Sequence, residues 1–179
     1  MKNNPAHYDV GSILMHWAVA LLILLVGLSS FFLNAGSEGF STIITAFHNV
    51  AGAMAMALVI VWFGWRALHA ELPEFEGIGT AERRLMVLIN GAINVLLILV
   101  PVTGIFLLFA LERSLDLGLI EFSYVFSMSQ NNLQLLGLAH NVLGKLLLVL
   151  ALVHSAQALW HHFGRRDEFV RRMLPWTLR

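Results

Sequence analysis

Residues 137–163 read GLAHNVLGKLLLVLALVHSAQALWHHF, an apolar run long enough to cross a bilayer that carries His140 and His154 14 positions apart. At 100° per residue, 14 steps fall about 40° short of four helical turns, and at 1.5 Å each they cover roughly 21 Å of axis. The two imidazoles therefore lie on nearly one face of a helix at two depths of a hydrocarbon core about 30 Å thick. Ionisable side chains at such depth are costly and turn toward the bundle interior, where they bind or pair. Two of them in register call for partners on other helices.

The rest of the chain supplies those helices. Of 179 residues, 58% are hydrophobic and only 12% charged, against about 25% charged in soluble domains. Four stretches are long enough to span, at about 12–33, 42–65, 85–111 and 137–163, by the rule of about 20 apolar residues per crossing. The expected fold is an all-α membrane protein, a four-helix transmembrane bundle in which residues 1–179 form one domain. The first span exceeds a signal-peptide core and contains His16 and Trp17, so it reads as uncleaved. The absence of cysteine excludes disulfides, thiolate-bound metals, iron–sulfur clusters and thioether-attached haem on this chain. No nucleotide-binding loop, nucleophile elbow or metalloprotease motif occurs, and no nucleic acid partner is expected.

Basic residues are distributed unevenly. Lys2 precedes the first span, Arg66, Arg83 and Arg84 lie between the second and third, and Arg165, Arg166, Arg171, Arg172 and Arg179 follow the fourth, whereas Arg113 sits in an opposite-side connection. The positive-inside rule then puts both termini in the cytoplasm and the connections near 34–41 and 112–136 outside. Trp17, Trp62, Trp65, Trp160 and Trp176 fall near the expected inner ends as interfacial anchors. The segment 115–136 reads as an interfacial lid.

With the helices alternating in direction, His16 lies near the inner end of the first, His48 near the outer end of the second, His140 near the outer end of the fourth, and His154 in its inner half. Depth pairs His16 with His154 and His48 with His140. No acidic residue lies within a span, so a tetrahedral zinc site lacks ligands. Haem needs only two axial ligands from the protein. The residue four positions after each histidine is small (Ala20, Gly52, Gly144, Ala158), as a flat macrocycle against a helix requires. The competing expectation is that these small residues serve helix packing and the histidines bond between helices.

His16-Trp17, Phe47-His48 followed by Gly52, the stretch from His140 through His154 to His161-His162, then Asp167 and Arg172-Met173-Leu174 resemble the bacterial cytochrome b561 family over nearly the whole chain. Its best-defined member type is the small di-haem superoxide oxidase, which passes electrons to ubiquinone. The resemblance implies two b-type haems with His16, His48, His140 and His154 as axial ligands. It matches Arg66 to a basic residue often kept at the end of the second helix, and Pro101 to Gly104 to a Pro-x-x-Gly pattern. Where members carry His-x-x-His upstream in the third helix, this chain has Val87 and Asn90.

Such a chain would relay single electrons to or from the quinone pool, because two axial imidazoles close both faces of each iron. Its partners would be membrane lipid, quinone, and superoxide or a redox partner protein. The alternative is a membrane subunit taking electrons from a separate dehydrogenase or hydrogenase. A metal or proton transporter would show intramembrane carboxylates or broken helices, and only Pro101 interrupts a span. The outer connections carry Arg113 against Glu38, Glu112, Asp116 and Glu121, a balance that disfavours steering of an anion such as superoxide. Lys145 reads as snorkelling to the outer interface ahead of a substrate or quinone contact, His7 and His69 as solvated, His161 and His162 as solvated at the interface or else as partners of a haem propionate or a proton relay to quinone, and Asn90 with Asn94 as an interhelical hydrogen-bonding pair.

Overall fold

Backbone amides have no water to bond in hydrocarbon, so each apolar run closes its own hydrogen bonds as a helix. The computed structural model describes residues 8–69, 79–111, 115–116, 121–122, 127–166, 170 and 173. It contains α1 (Val10–Ser29), α2 (Glu38–His69), α3 (Thr80–Ala110), β1 (Leu115–Asp116), β2 (Glu121–Phe122) and α4 (Gln130–Leu159), which runs on into a π-helical turn (Trp160–Arg165). All four long helices have the length and apolarity of membrane spans. The only strands among the described residues are β1 and β2, a two-residue antiparallel pair that sets Leu115 opposite Phe122. Arg113, Glu112, His7 and Trp176 lie outside the described residues.

The expected spans hold with shifted ends. α1 stops at Ser29 rather than Leu33, where the Ser29 and Ser30 hydroxyls donate back to the carbonyls of Val26 and Gly27. α4 begins seven residues before Gly137, so 130–136 belongs to this helix and not to a lid. Ser129 caps it by accepting from the Asn132 amide at 3.3 Å. The polar residues Gln130, Asn131, Asn132 and Gln134 hide this first turn from a hydropathy reading.

α1 packs along α2 and α3 along α4, and α2 joins the two hairpins through α3. The core is a cluster of Val19, Val59, Leu96, Leu97 and Leu147, to which every helix contributes. Leu147 stands midway in sequence between His140 and His154, so apolar packing separates the two imidazole depths. Large side chains such as Leu21, Ile43, Ile60 and Leu152 point outward, as they do where lipid is the solvent. At Gly27 an added Cβ would collide with the Leu148 side chain, so this glycine lets α1 and α4 close on each other.

One end of the bundle carries Asp9, His69, Gly79 and Arg165; the other carries the α1–α2 and α3–α4 connections. We call them the terminal end and the loop end. At the terminal end the tryptophans do more than anchor. The Trp17 indole donates to the Met173 carbonyl at 2.7 Å, and that of Trp65 to Asp9 Oδ1 at 3.1 Å. Asp9 also caps α1 through the Ser12 amide and hydroxyl. Burial would raise its carboxyl, but these Ser12 and Trp65 donors, helped by His69, hold it below the usual carboxylate range. A lowered native pKa makes the contribution complete above the unfolded value and removes it as pH falls through the native one. Asp9→Ala is therefore expected to cost about 1 kcal/mol, read as a lower thermal midpoint in detergent at neutral pH, with the gap to wild type closing in acid.

Candidate functional site

Two pairs of imidazoles face each other inside the bundle. His16 on α1 and His154 on α4 have ring centres 6.4 Å apart with planes at 59°. His48 on α2 and His140 on α4 have centres 6.2 Å apart with planes at 88°. The structure thus brings together the same partners that depth in the membrane selects. All four are partly buried. Among the described residues no group of three or more His, Cys, Asp or Glu side chains is placed to hold a metal ion, so each site offers two imidazoles.

The two sites differ in what surrounds them. At the loop end, His48 Nδ1 lies 2.9 Å from Ser29 Oγ and 3.2 Å from the Val26 carbonyl. His140 Nδ1 lies 3.2 Å from Thr103 Oγ1 and 3.1 Å from the Val100 carbonyl. A carbonyl oxygen only accepts, so Nδ1 carries the proton in both rings and Nε2 is left with its lone pair. Neutral imidazole in this tautomer is a ready metal ligand. Thr103 also bonds the Leu99 carbonyl at 2.9 Å, close to Pro101, which has no amide proton to donate to the turn before it. The His140 ring rests against Gly104, where an added Cβ would lie 2.9 Å from Cε1.

Toward the terminal end the surroundings are aromatic. Trp17 meets His16 edge-on at 5.6 Å, and Trp62 lies at 6.5 Å. The Arg66 guanidinium sits 5.3 Å from the centre of the Trp62 ring, which keeps it one residue layer from the His16 site. Among the described residues, neither the His16 nor the His154 ring has a hydrogen-bond partner.

These separations can be tested against an iron held between two rings. With about 2 Å from metal to each nitrogen, and each nitrogen about 1 Å from its ring centre, the centres stand about 6 Å apart. Both pairs meet this spacing. Room for a macrocycle is consistent with it. A Cβ on Gly52 would meet nothing within 4 Å, and on Gly144 only Val100 Cγ1 at 4.0 Å. Ala20 is exposed and Ala158 partly buried. The residues therefore fit an axially ligated haem.

Other expectations fare differently. His161 is not solvated: it is wholly buried in the π-helical turn, with Nε2 3.2 Å from Glu82 Oε1. Arg165 Nη1 donates to both oxygens of the same carboxylate at 2.6 and 2.7 Å. This cluster ties the start of α3 to the end of α4. His162 is partly buried edge-on to Phe163, while His69 is exposed and stacks on Trp65 at 3.9 Å. Lys145 is exposed, and among the described residues neither exposed Asn90 nor Asn94 has the interhelical hydrogen bond expected of it. Arg83, Arg84, Val87 and Leu88 line an open groove on α3.

Sequence reasoning passed over Ser29 and Thr103. Their signal was available: Val26-Gly27-Leu28-Ser29 and Val100-Pro101-Val102-Thr103 repeat a Val-x-x-hydroxyl pattern 74 positions apart (26 to 100, 29 to 103).

No curated protein matched the chain. The family model of prokaryotic cytochrome b561 matches residues 7–176. Paired intramembrane imidazoles in a four-helix bundle and a match over nearly the full length lead to one conclusion: the chain belongs to the prokaryotic cytochrome b561 family, membrane b-type cytochromes that bind haem b and transfer electrons.

Proposed function

We propose that this chain holds two haems b, one between His16 and His154 and one between His48 and His140, and exchanges single electrons with the ubiquinone pool. The observation that carries the reading is the spacing of the two imidazole pairs, 6.4 and 6.2 Å between ring centres. His16 with His154, and His48 with His140, would each hold one haem, which would supply one-electron chemistry when bound.

The remaining work falls to the protein. Gly52 and Gly144 leave flat walls beside His48 and His140, and the apolar layer around Leu147 keeps water from the space between the sites. Arg66 provides positive charge within reach of the terminal-end site, suited to the carboxylates at a haem's edge. The uneven basic residues favour the terminal end on the cytoplasmic side, and membership of a prokaryotic family supports a bacterial inner membrane. Superoxide as donor and ubiquinone as acceptor follow from the resemblance to superoxide oxidase. A membrane subunit fed by a dehydrogenase or hydrogenase is the second reading.

A reduced-minus-oxidised absorption spectrum of the purified chain, combined with a haem-to-chain ratio, tests the proposal. The expected result is a b-type spectrum at a ratio of two. A colourless folded preparation made with adequate haem supply refutes it. Superoxide-dependent reduction of a soluble ubiquinone analogue by the purified chain alone supports the oxidase reading, whereas silence until a partner dehydrogenase is added supports the second.

A further inference from the structure

We propose that Ser29 and Thr103 are positioning residues that lock the rings of His48 and His140 in a crossed arrangement. They hold each proton on Nδ1, so that the loop-end site is preset before a cofactor enters and the His16/His154 site is not. The inference rests on the haem reading above for its consequence, but not for its geometry.

Each hydroxyl does two things at once. Ser29 donates to the Val26 carbonyl at 2.7 Å and Thr103 to the Val100 carbonyl at 2.8 Å. The hydroxyl's only proton is thereby committed, so toward the imidazole its oxygen can only accept. Nδ1–H of each histidine then meets two acceptors, a hydroxyl oxygen and a carbonyl oxygen, on the neighbouring helix. The carbonyl alone, at 3.1 to 3.2 Å, only favours the proton on Nδ1, and the hydroxyl beside it holds it there. Two acceptors on a rigid helix also fix the plane of the ring.

The device occurs twice, on separate hairpins. Hydroxyl and carbonyl come from the first helix of each hairpin and the histidine from the second, at the eleventh residue of α2 (Glu38 to His48) and of α4 (Gln130 to His140). A serine or threonine inside a membrane helix commonly bonds a carbonyl of its own preceding turn, and that habit alone explains Thr45, which bonds Ser41 at 2.8 Å and no imidazole. It does not explain why Ser29 and Thr103 both also meet a histidine ring. The outcome of the double lock is the 88° between the planes of His48 and His140. Among the described residues the other pair has no such bonds, and it stands at 59°.

Ring planes matter to an iron because each imidazole donates π density perpendicular to its plane. Crossed planes treat two of the metal d orbitals nearly alike, so the low-spin ferric state gives a strongly anisotropic paramagnetic resonance signal, whereas less crossed planes separate those orbitals and reduce the anisotropy. Hydrogen bonding by the ligand's outer partner is one of the levers a protein has on haem.

The test compares full-length wild type, Ser29→Ala, Thr103→Val and, as control, Thr45→Val. In the ferric haem-loaded proteins, wild type and the control are expected to show one strongly anisotropic and one less anisotropic low-spin signal. Each of the other two variants moves the strongly anisotropic signal to a smaller largest g value and leaves the second unchanged, at unchanged haem content. In the haem-free chain labelled with ¹⁵N-histidine, exposed His69, whose Nδ1 lies 3.1 Å from the Trp65 carbonyl, gives an Nδ1–H signal that no variant moves, and the His48 and His140 imidazoles are expected to carry a hydrogen-bonded proton on Nδ1 and a bare Nε2. Ser29→Ala releases one of them into tautomer exchange and Thr103→Val the other. The proposal is overturned if the anisotropic signal stays put in both variants, if Thr45→Val moves it as far, or if the wild-type His48 and His140 imidazoles exchange freely between tautomers. A chain that takes up no haem refutes the electron-relay reading, and the nitrogen spectra then still decide this one.

Discussion

Replacing His140 by alanine is expected to abolish the low-spin ferric signal of the loop-end haem and to bring the haem-to-chain ratio from two toward one, while the signal of the other site persists. The reasoning is geometric. His140 and His154 are separated by roughly 21 Å of helix axis, and the Val19, Val59, Leu96, Leu97 and Leu147 cluster lies in the core of the bundle. Alanine at 140 removes one ligand from one iron and leaves the aromatic surroundings of His16 and His154 in place. His16→Ala should give the mirror result. Quantitative haem extraction and low-temperature resonance spectra of the two variants, side by side, check both. If each single change strips both haems equally, the sites are not independent and the assignment of pairs fails.

Gly104→Val should harm the same site without touching a ligand. The His140 ring already rests on this residue, with 2.9 Å between its Cε1 and the place of a Cβ. A valine must push the ring away or drive α3 and α4 apart, and overpacking of this kind typically costs about 1–3 kcal/mol. Displacement of the ring also stretches the Nδ1 bonds to Val100 and Thr103. The expected outcome is weakened retention of the loop-end haem and a lowered thermal midpoint. Gly91→Val, on the same helix but with nothing within 4 Å of its Cβ, should leave both haem signals intact. Equal damage from the two changes would mean that α3 simply tolerates no branched residue.

Much of this architecture was legible from residues alone, for a physical reason. A bilayer forces backbone hydrogen bonds to close locally and charges to the rims, so length, apolarity and the placement of arginines read out the spans directly. The 14-residue interval between His140 and His154 converted into depth because a straight helix has a fixed rise, and depth alone sufficed to pair the four histidines. What stayed hidden depends on lateral contacts. His161 looks like an interfacial residue until Glu82, far away in sequence, is brought beside it. The early start of α4 was masked because Ser129 and the following amide side chains are polar, yet a capped helix can extend past the hydrocarbon. Ser29 and Thr103 read as ordinary helix hydroxyls, since only the packing of one hairpin's helices against each other reveals that they meet imidazoles.

Each hairpin contributes one histidine to each pair: His16 on α1 and His48 on α2 from the first, His140 and His154, both on α4, from the second. During biosynthesis the first hairpin enters the bilayer with two unmatched ligands, and neither site exists until the ribosome has delivered the second. On the haem reading proposed above, each cofactor would then bridge two halves that have already met, and its removal should loosen the first hairpin from the second.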